Sequence, residues 1–354
     1  MSVRERPSAA GRWVPWVPWV ARTAGVTALA MSAVGLTAVA AEAADEPRGF
    51  TIEDSRITES SGLAASHTHK GVYWTHNDSD DGPYVYAVDG RTGKTVARVT
   101  MRGIDPRDVE AISIGPDGDI YVGDIGDNLD GTWNEVWIYR FPEPKRLDGD
   151  VTVTPTRYTV RYADGPRNAE SLMVHPKTGR VYIASKNAQG KAGVYAGPKE
   201  LTPGAVNTFS RVSDIDFEAT DGAFSPDGSR LVLRGYFSGY AYRWRDGKPE
   251  KISSLPVPLQ RQGESVTFTP DGRTLMFGSE GVRSPVEPVR LTGKAVPSSV
   301  QKEDAENSGG SQGSGGGGGS DDENNRTLGL GAATLVAAFA VWWGLRRLFR
   351  RRGD

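Results

Sequence analysis

The feature that most constrains this chain is a short phrase that recurs five times. It reads "EAISIGPDGDIYVGD" from Glu110, "ESLMVHPKTGRVYIAS" from Glu170, "TDGAFSPDGSRLVLRG" from Thr220 and "ESVTFTPDGRTLMFGS" from Glu264. A weaker copy, "SGLAASHTHKGVYWTHND", starts at Ser61. Each copy joins an alternating apolar run, a Pro-Asp-Gly-like turn and a second run rich in β-branched or aromatic residues, which is the pattern of a β-hairpin. Most copies are followed by further strand-like runs, such as "YVYAVDG" with "KTVARVTM" and "EVWIYRFPEP" with "TRYTVRYAD".

The copies lie about 44 to 60 residues apart, the length of a four-stranded blade. The expected fold class is all-β, a β-propeller of five four-stranded blades. Six blades, with the long second repeat hiding one, and an open β-sandwich are the alternatives. The last copy runs out after "VEPVRL" at Leu291, while "GFTIEDSRI" offers a strand ahead of the first copy. Pairing that N-terminal strand into the last blade would close the ring and protect its edges. The chain has no cysteine, so closure stands in for disulfides, and cysteine catalysis and thiolate metal sites are excluded.

The two ends carry membrane signals. Arg4, Arg6, Arg12 and Arg22 precede an apolar run over 24–40 that ends in small residues, so residues 1–43 are expected to be a secretory signal peptide. Leu328 to Leu345 is an uncharged run of 18 residues, which at about 1.5 Å per residue spans a hydrocarbon core. A single transmembrane helix is therefore expected over 327–346. Five arginines follow it and Asp321, Asp322 and Glu323 precede it, which places the basic tail 347–354 in the cytoplasm and the propeller, 44–297, outside. Ser308 to Ser320 is almost wholly Gly and Ser, so 298–326 is expected to be a flexible linker. The formal net charge of −2 argues against nucleic acid as a partner.

These repeats, together with "WTHNDSDDGPYVYAVD", "VEAISIGPDGDIYVGDIGDN", "IYRFPEP" and "GESVTFTPDGRTLMFGSEG", resemble bacterial exported β-propeller proteins of the WD40-like group. The likeness is strongest to a membrane-anchored set from high-GC actinobacteria. It covers most of residues 50–291 and implies the propeller fold without implying an activity. Regular Gly-His and Trp-Asp dipeptides are missing, so the chain is not similar in detail to a eukaryotic WD40 scaffold.

In a propeller the starts of the innermost strands and the loops between second and third strands share one face beside the central channel. That face is expected to collect Glu110, Glu170, Asp221 and Glu264 from strand starts, with Asn77, Asp78, Lys186, Asn187, Arg234, Tyr236 and Glu280 from the loops. The candidate ligand-binding residues are Glu110, Glu170, Asp221, Glu264, Lys186, Arg234 and Tyr236. In "YVGDIGDN", Asp124, Asp127 and Asn128 have the oxygen-rich spacing of a calcium loop, yet the same residue types dominate ordinary turns. Calcium or magnesium at these three residues is one reading, and a turn held by backbone hydrogen bonds is the other.

His67, His69 and His175 fall in hairpin turns on the opposite face, which leaves His76 as the one histidine near the acidic rim. No Gly-x-Ser-x-Gly elbow lies in the domain, so no catalytic residue is assigned. Trp133, Trp137, Trp244 and Tyr240 offer either a ligand surface or inter-blade core. The function expected is a cell-surface binding module that recognises a protein, peptide or envelope polysaccharide through its acidic face. The alternative is a divalent-metal-dependent hydrolase acting on a lactone or phosphoester, with the metal in the channel.

Overall fold

The structure is a computed structural model in which residues 47–78, 81–129, 131–187 and 192–309 are described. After the short β1 (Phe50–Thr51), the first unit is β2 (Ser60–Ala65), β3 (Val72–Asn77), β4 (Tyr84–Asp89) and β5 (Thr95–Met101). The second contains β6 (Val109–Ile114), β7 (Asp119–Asp124), β8 (Val136–Pro142), β9 (Gly149–Val153) and β10 (Thr156–Tyr162). The third is β11 (Ala169–Val174), β12 (Val181–Ser185), β13 (Gly193–Ala196) and β14 (Val206–Asp214). The fourth is β15 (Asp221–Phe224), β16 (Arg230–Arg234), β17 (Gly239–Arg245) and β18 (Lys248–Ser254). The fifth is β19 (Gly263–Phe268), β20 (Thr274–Ser279) and β21 (Pro285–Arg290), followed by a 3₁₀ turn and the helix α1 (Ser298–Gly309).

The fold is all-β and propeller-like. Within the first, third, fourth and fifth units successive strands pair antiparallel, in the second β10 pairs with β8, and β1 adds to β21 with Phe50 opposite Val286 and Thr51 opposite Pro285. The extra length of the second repeat supplies β9, which leaves its own unit and lies parallel to β5. A second parallel pairing, β10 with β14, joins the second and third units into one eight-stranded sheet. The first strands of the units form a cycle in which β2 packs on β6, β6 on β11, β11 on β15, β15 on β19 and β19 on β2.

Burial explains why the cycle holds. Five apolar clusters form, each built from side chains of two neighbouring units. Trp74 and Val85 meet Ile120 and Tyr139 between the first and second units. Phe50, Met276 and Val286 meet Leu63, Tyr73 and Tyr86 between the last unit and the first. Removing such surfaces from water is the dominant favourable contribution to folding, and here it acts across every seam. The hairpin turns need glycine for a backbone reason: Gly71, Gly118, Gly179, Gly228 and Gly272, one in each copy, have φ of 77°, 80°, 66°, 74° and 70°, which is disfavoured for other residues. Residues of all five first strands line a cavity of about 380 Å³ near the hairpin-turn end.

One sequence expectation is corrected. The flexible linker was expected to start at 298, but its first twelve residues form α1. The reason is tertiary: Val300 is buried, Arg273 pairs with Glu303 at 2.9 Å and Asp304 at 2.8 Å, and Ser299 N donates to Asp227 Oδ2 at 2.9 Å. The expected signal peptide over 1–43, the remaining linker over 310–326, the membrane helix over 327–346 and the tail lie outside the described residues. Among the described residues no helix is long and apolar enough to cross a membrane.

Candidate functional site

Three of the four strand-start carboxylates sit on the same irregularity. The register of β6 with β7 slips between Val109 and Ala111, that of β11 with β12 between Ala169 and Ser171, and that of β19 with β20 between Gly263 and Ser265. The extra residues in these β-bulges are Glu110, Glu170 and Glu264. A bulge inserts one unpaired residue and re-aims its side chain, so the repeat delivers a carboxylate at the same place in three units. The first unit has a slip between Ser60 and Leu63, and there Ser61 Oγ donates to Glu110 Oε2 at 3.2 Å.

The fourth unit breaks this pattern. Asp221 pairs in regular register with Arg234, and its carboxylate accepts from Gly222 N at 2.7 Å and Val266 N at 2.8 Å. It therefore ties β15 to β19. Arg234 is fully buried, and its Nη1 donates to Gln260 Oε1, Ser265 O and Gly278 O at 3.2, 3.0 and 3.0 Å. Both residues serve the seam between the fourth and fifth units.

Lys186, just after β12, organises the glutamates. Its Nζ donates to Glu170 Oε1 and, at 2.6 Å, to Tyr236 Oη, and its charge also acts on Glu110, Glu264 and Glu280. One ammonium does not neutralise this group. Burial, then the Glu170 charge, pushes Glu110 well above the ordinary carboxylate range. Burial carries Glu170 up to about 8 despite Lys186, and burial with the Glu264 charge carries Glu280 up to about 7. Burial also raises Glu264, whose Oε1 accepts from Gln262 Nε2 at 3.1 Å.

Beside Glu110 lies a tighter group. Asp78, Asp108 and Glu110 each offer an oxygen, and the three oxygens lie within 4.8 Å of one another. Burial and then Asp108 push Asp78 up to about 8. Asp108 was not singled out from the sequence; it precedes β6, and the bulge at Glu110 breaks the strand alternation that could have linked the two.

The loop of "YVGDIGDN" supports this group without making a cage of its own. Asp124 accepts from Asp108 N at 3.0 Å and Tyr139 Oη at 2.9 Å. Asp127 accepts from Thr132 Oγ1 at 3.1 Å and Trp133 N at 2.6 Å. Asn128 Nδ2 reaches Asp108 Oδ2 at 3.2 Å. The three sequence-selected metal candidates are thus spread over separate hydrogen-bond roles, two bracing the chain and one touching the Asp108 carboxylate.

Other polar and aromatic candidates fall elsewhere. His76 is fully buried with Nδ1 against Asn77 O at 2.9 Å, and burial lowers it to about 4. His69 Nε2 meets Pro144 O at 2.7 Å in the hairpin-turn region. The Arg107 guanidinium lies 4.0 Å from the Trp133 ring centroid and 3.7 Å from that of Trp137. Trp244 packs edge-on against Tyr182 and Phe224, and Tyr240 against Phe217.

No protein-family model matches the chain, and no curated protein matches it. Among solved structures it is similar to a chain of "Crystal Structure of Mitotic Checkpoint Complex", at 14% identity and a TM-score of 0.36 over 65% of this chain and 63% of that one. It is also similar to a chain of Kuenenia stuttgartiensis hydrazine synthase, at 13% identity and a TM-score of 0.37 over 62% and 61% of the two chains. This chain thus spans less than two thirds of either neighbour, and likeness at this distance carries no argument about what it does.

Proposed function

We propose that the chain is an exported binding module: a five-bladed β-propeller closed by β1, related to the bacterial WD40-like exported set, and held outside the cell membrane by the C-terminal helix. It recognises a protein, peptide or envelope polysaccharide bearing a cationic group at the mouth of its central channel. The observation that supports this reading is the set Glu110, Glu170 and Glu264, each on a bulge of a first strand, with Lys186 paired to Glu170 and its charge acting on the other two. An unbalanced buried carboxylate group favours a compensating positive charge. A ring of sheets also holds the donors rigidly, so little conformational entropy is lost on binding.

The test is equilibrium binding of the full-length protein to a panel of cationic and neutral peptides and wall polysaccharide fragments. Glu264→Gln should weaken the best ligand by about tenfold or more, the scale of an interface hot spot. Equal affinity of the wild type and a Glu170→Gln/Glu264→Gln double variant would overturn the site.

The proximity of Asp78, Asp108 and Glu110 favours a second reading, a metal-dependent hydrolase. There a bound divalent ion would polarise a lactone or phosphoester oxygen or activate water. Turnover lost on chelation would support it, and no turnover of either ester class would remove it.

A further inference from the structure

The strongest unassigned feature is the carboxylate trio beside the glutamates. Two oxygens bound to one calcium ion at about 2.3–2.6 Å are separated by no more than roughly twice that length. Asp78, Asp108 and Glu110 present oxygens within 4.8 Å of one another, which is compatible with one shared cation.

Two of the three carboxylates are also nearly cut off from solvent. Asp108 and Glu110 are 3% and 2% exposed, and no Lys or Arg pairs with either within salt-bridge distance among the described residues. A separate observation points to a ligand. Glu170 is 4% exposed, and while its Oε1 is held by Lys186, its Oε2 is buried with no hydrogen-bond partner. Its charge acts on both Glu110 and Asp78, so this orphan oxygen belongs to the same electrostatic group. Asp78 Oδ1 is likewise buried and unpartnered. Buried polar atoms are ordinarily satisfied, and a hard cation satisfies several carboxylate oxygens at once.

We infer that Asp78, Asp108 and Glu110 form a calcium-binding site at the channel mouth, with Glu170 in the same electrostatic group. The inference rests on the reading of this mouth as the ligand-binding face. Oxygen-only donors suit calcium or magnesium over zinc, and three carboxylates favour a divalent over a monovalent ion. The site brings two units into one coordination sphere, because Asp78 follows β3 whereas Asp108 and Glu110 lie at β6.

The test is calorimetric titration of the full-length, chelator-treated protein with calcium chloride and then with magnesium chloride. One calcium per chain should bind and raise the Tm. Asp108→Asn should lose more than about tenfold in calcium affinity, since even outer-shell changes cost 10–100-fold. Asp78→Asn, in a partly exposed loop, gives the same readout should Asp108→Asn fail to fold. No calcium binding up to millimolar concentration, or undiminished binding by both variants, would overturn the site. If calcium fails while ligand affinity still depends on Glu264, only the ion site falls. If both fail, the reading of the mouth falls with it.

Discussion

Gly126 lies so close to Asp108 that a β-carbon on Gly126 would stand 2.4 Å from the Asp108 carboxyl carbon and 2.8 Å from Glu110 Cγ. The loop of "YVGDIGDN" therefore contributes to the acidic mouth by what it omits. Its glycine leaves the space for the carboxylates of Asp108, just ahead of β6, and Glu110, within it, and Gly126 N donates to Asp108 O at 3.2 Å to fix the approach.

Gly126→Ala should consequently destabilise the protein by about 1–3 kcal/mol, the usual cost of overpacking. Denaturant unfolding measures this. The same variant should weaken calcium binding, because the clash displaces Asp108 and Glu110. Unchanged stability would mean that the loop moves freely away from β6.

Stability should fall as pH rises through the neutral range in the absence of divalent ions. Glu170 and Glu280 are raised to about 8 and about 7, whereas an unfolded glutamate titrates near 4.3. Between those values the folded chain binds more protons than the unfolded one, so raising pH favours unfolding. The Tm of the chelator-treated protein should therefore be higher at pH 5 than at pH 8. Glu170→Gln should flatten part of that slope, and an unaltered slope in this variant would show that Glu170 is not a source of it.

At the other end of the molecule, Asp227 should govern the docking of α1. It accepts from Ser225 Oγ at 2.6 Å, Ser229 N at 2.9 Å and Ser299 N at 2.9 Å. Burial would raise it, but these donors win and lower it to about 2. Its stabilisation is present above the ordinary carboxylate range and is lost as pH falls from about 4 towards 2. Asp227→Ala should cost about 1–2 kcal/mol, like loss of a helix cap, and should raise amide exchange in α1. Full protection of α1 in this variant would contradict the role.

The hairpins were legible in the sequence because their signals are local. Alternation and a turn glycine recur within about fifteen residues in every copy, and strand-start glutamates can be aligned by eye. What was not legible depends on neighbours distant in sequence. The bulges set Glu110, Glu170 and Glu264 apart from Asp221, which stands one step further along its copy and pairs in regular register with Arg234. β9 carries an exposed, polar pattern, so nothing local announces that it will lie along β5. α1 has too few apolar residues to declare itself. Val300 and the acidic residues opposite Arg273 form it only because the fifth unit is already there.

The most direct measurement is a crystal structure of the full-length protein grown with manganese(II), a hard divalent ion whose anomalous scattering locates it without ambiguity. The expected result is one peak bonded to oxygens of Asp78, Asp108 and Glu110, with Lys186 still on Glu170. A peak elsewhere, or no peak with the three carboxylates turned apart, would contradict a cation-binding channel mouth.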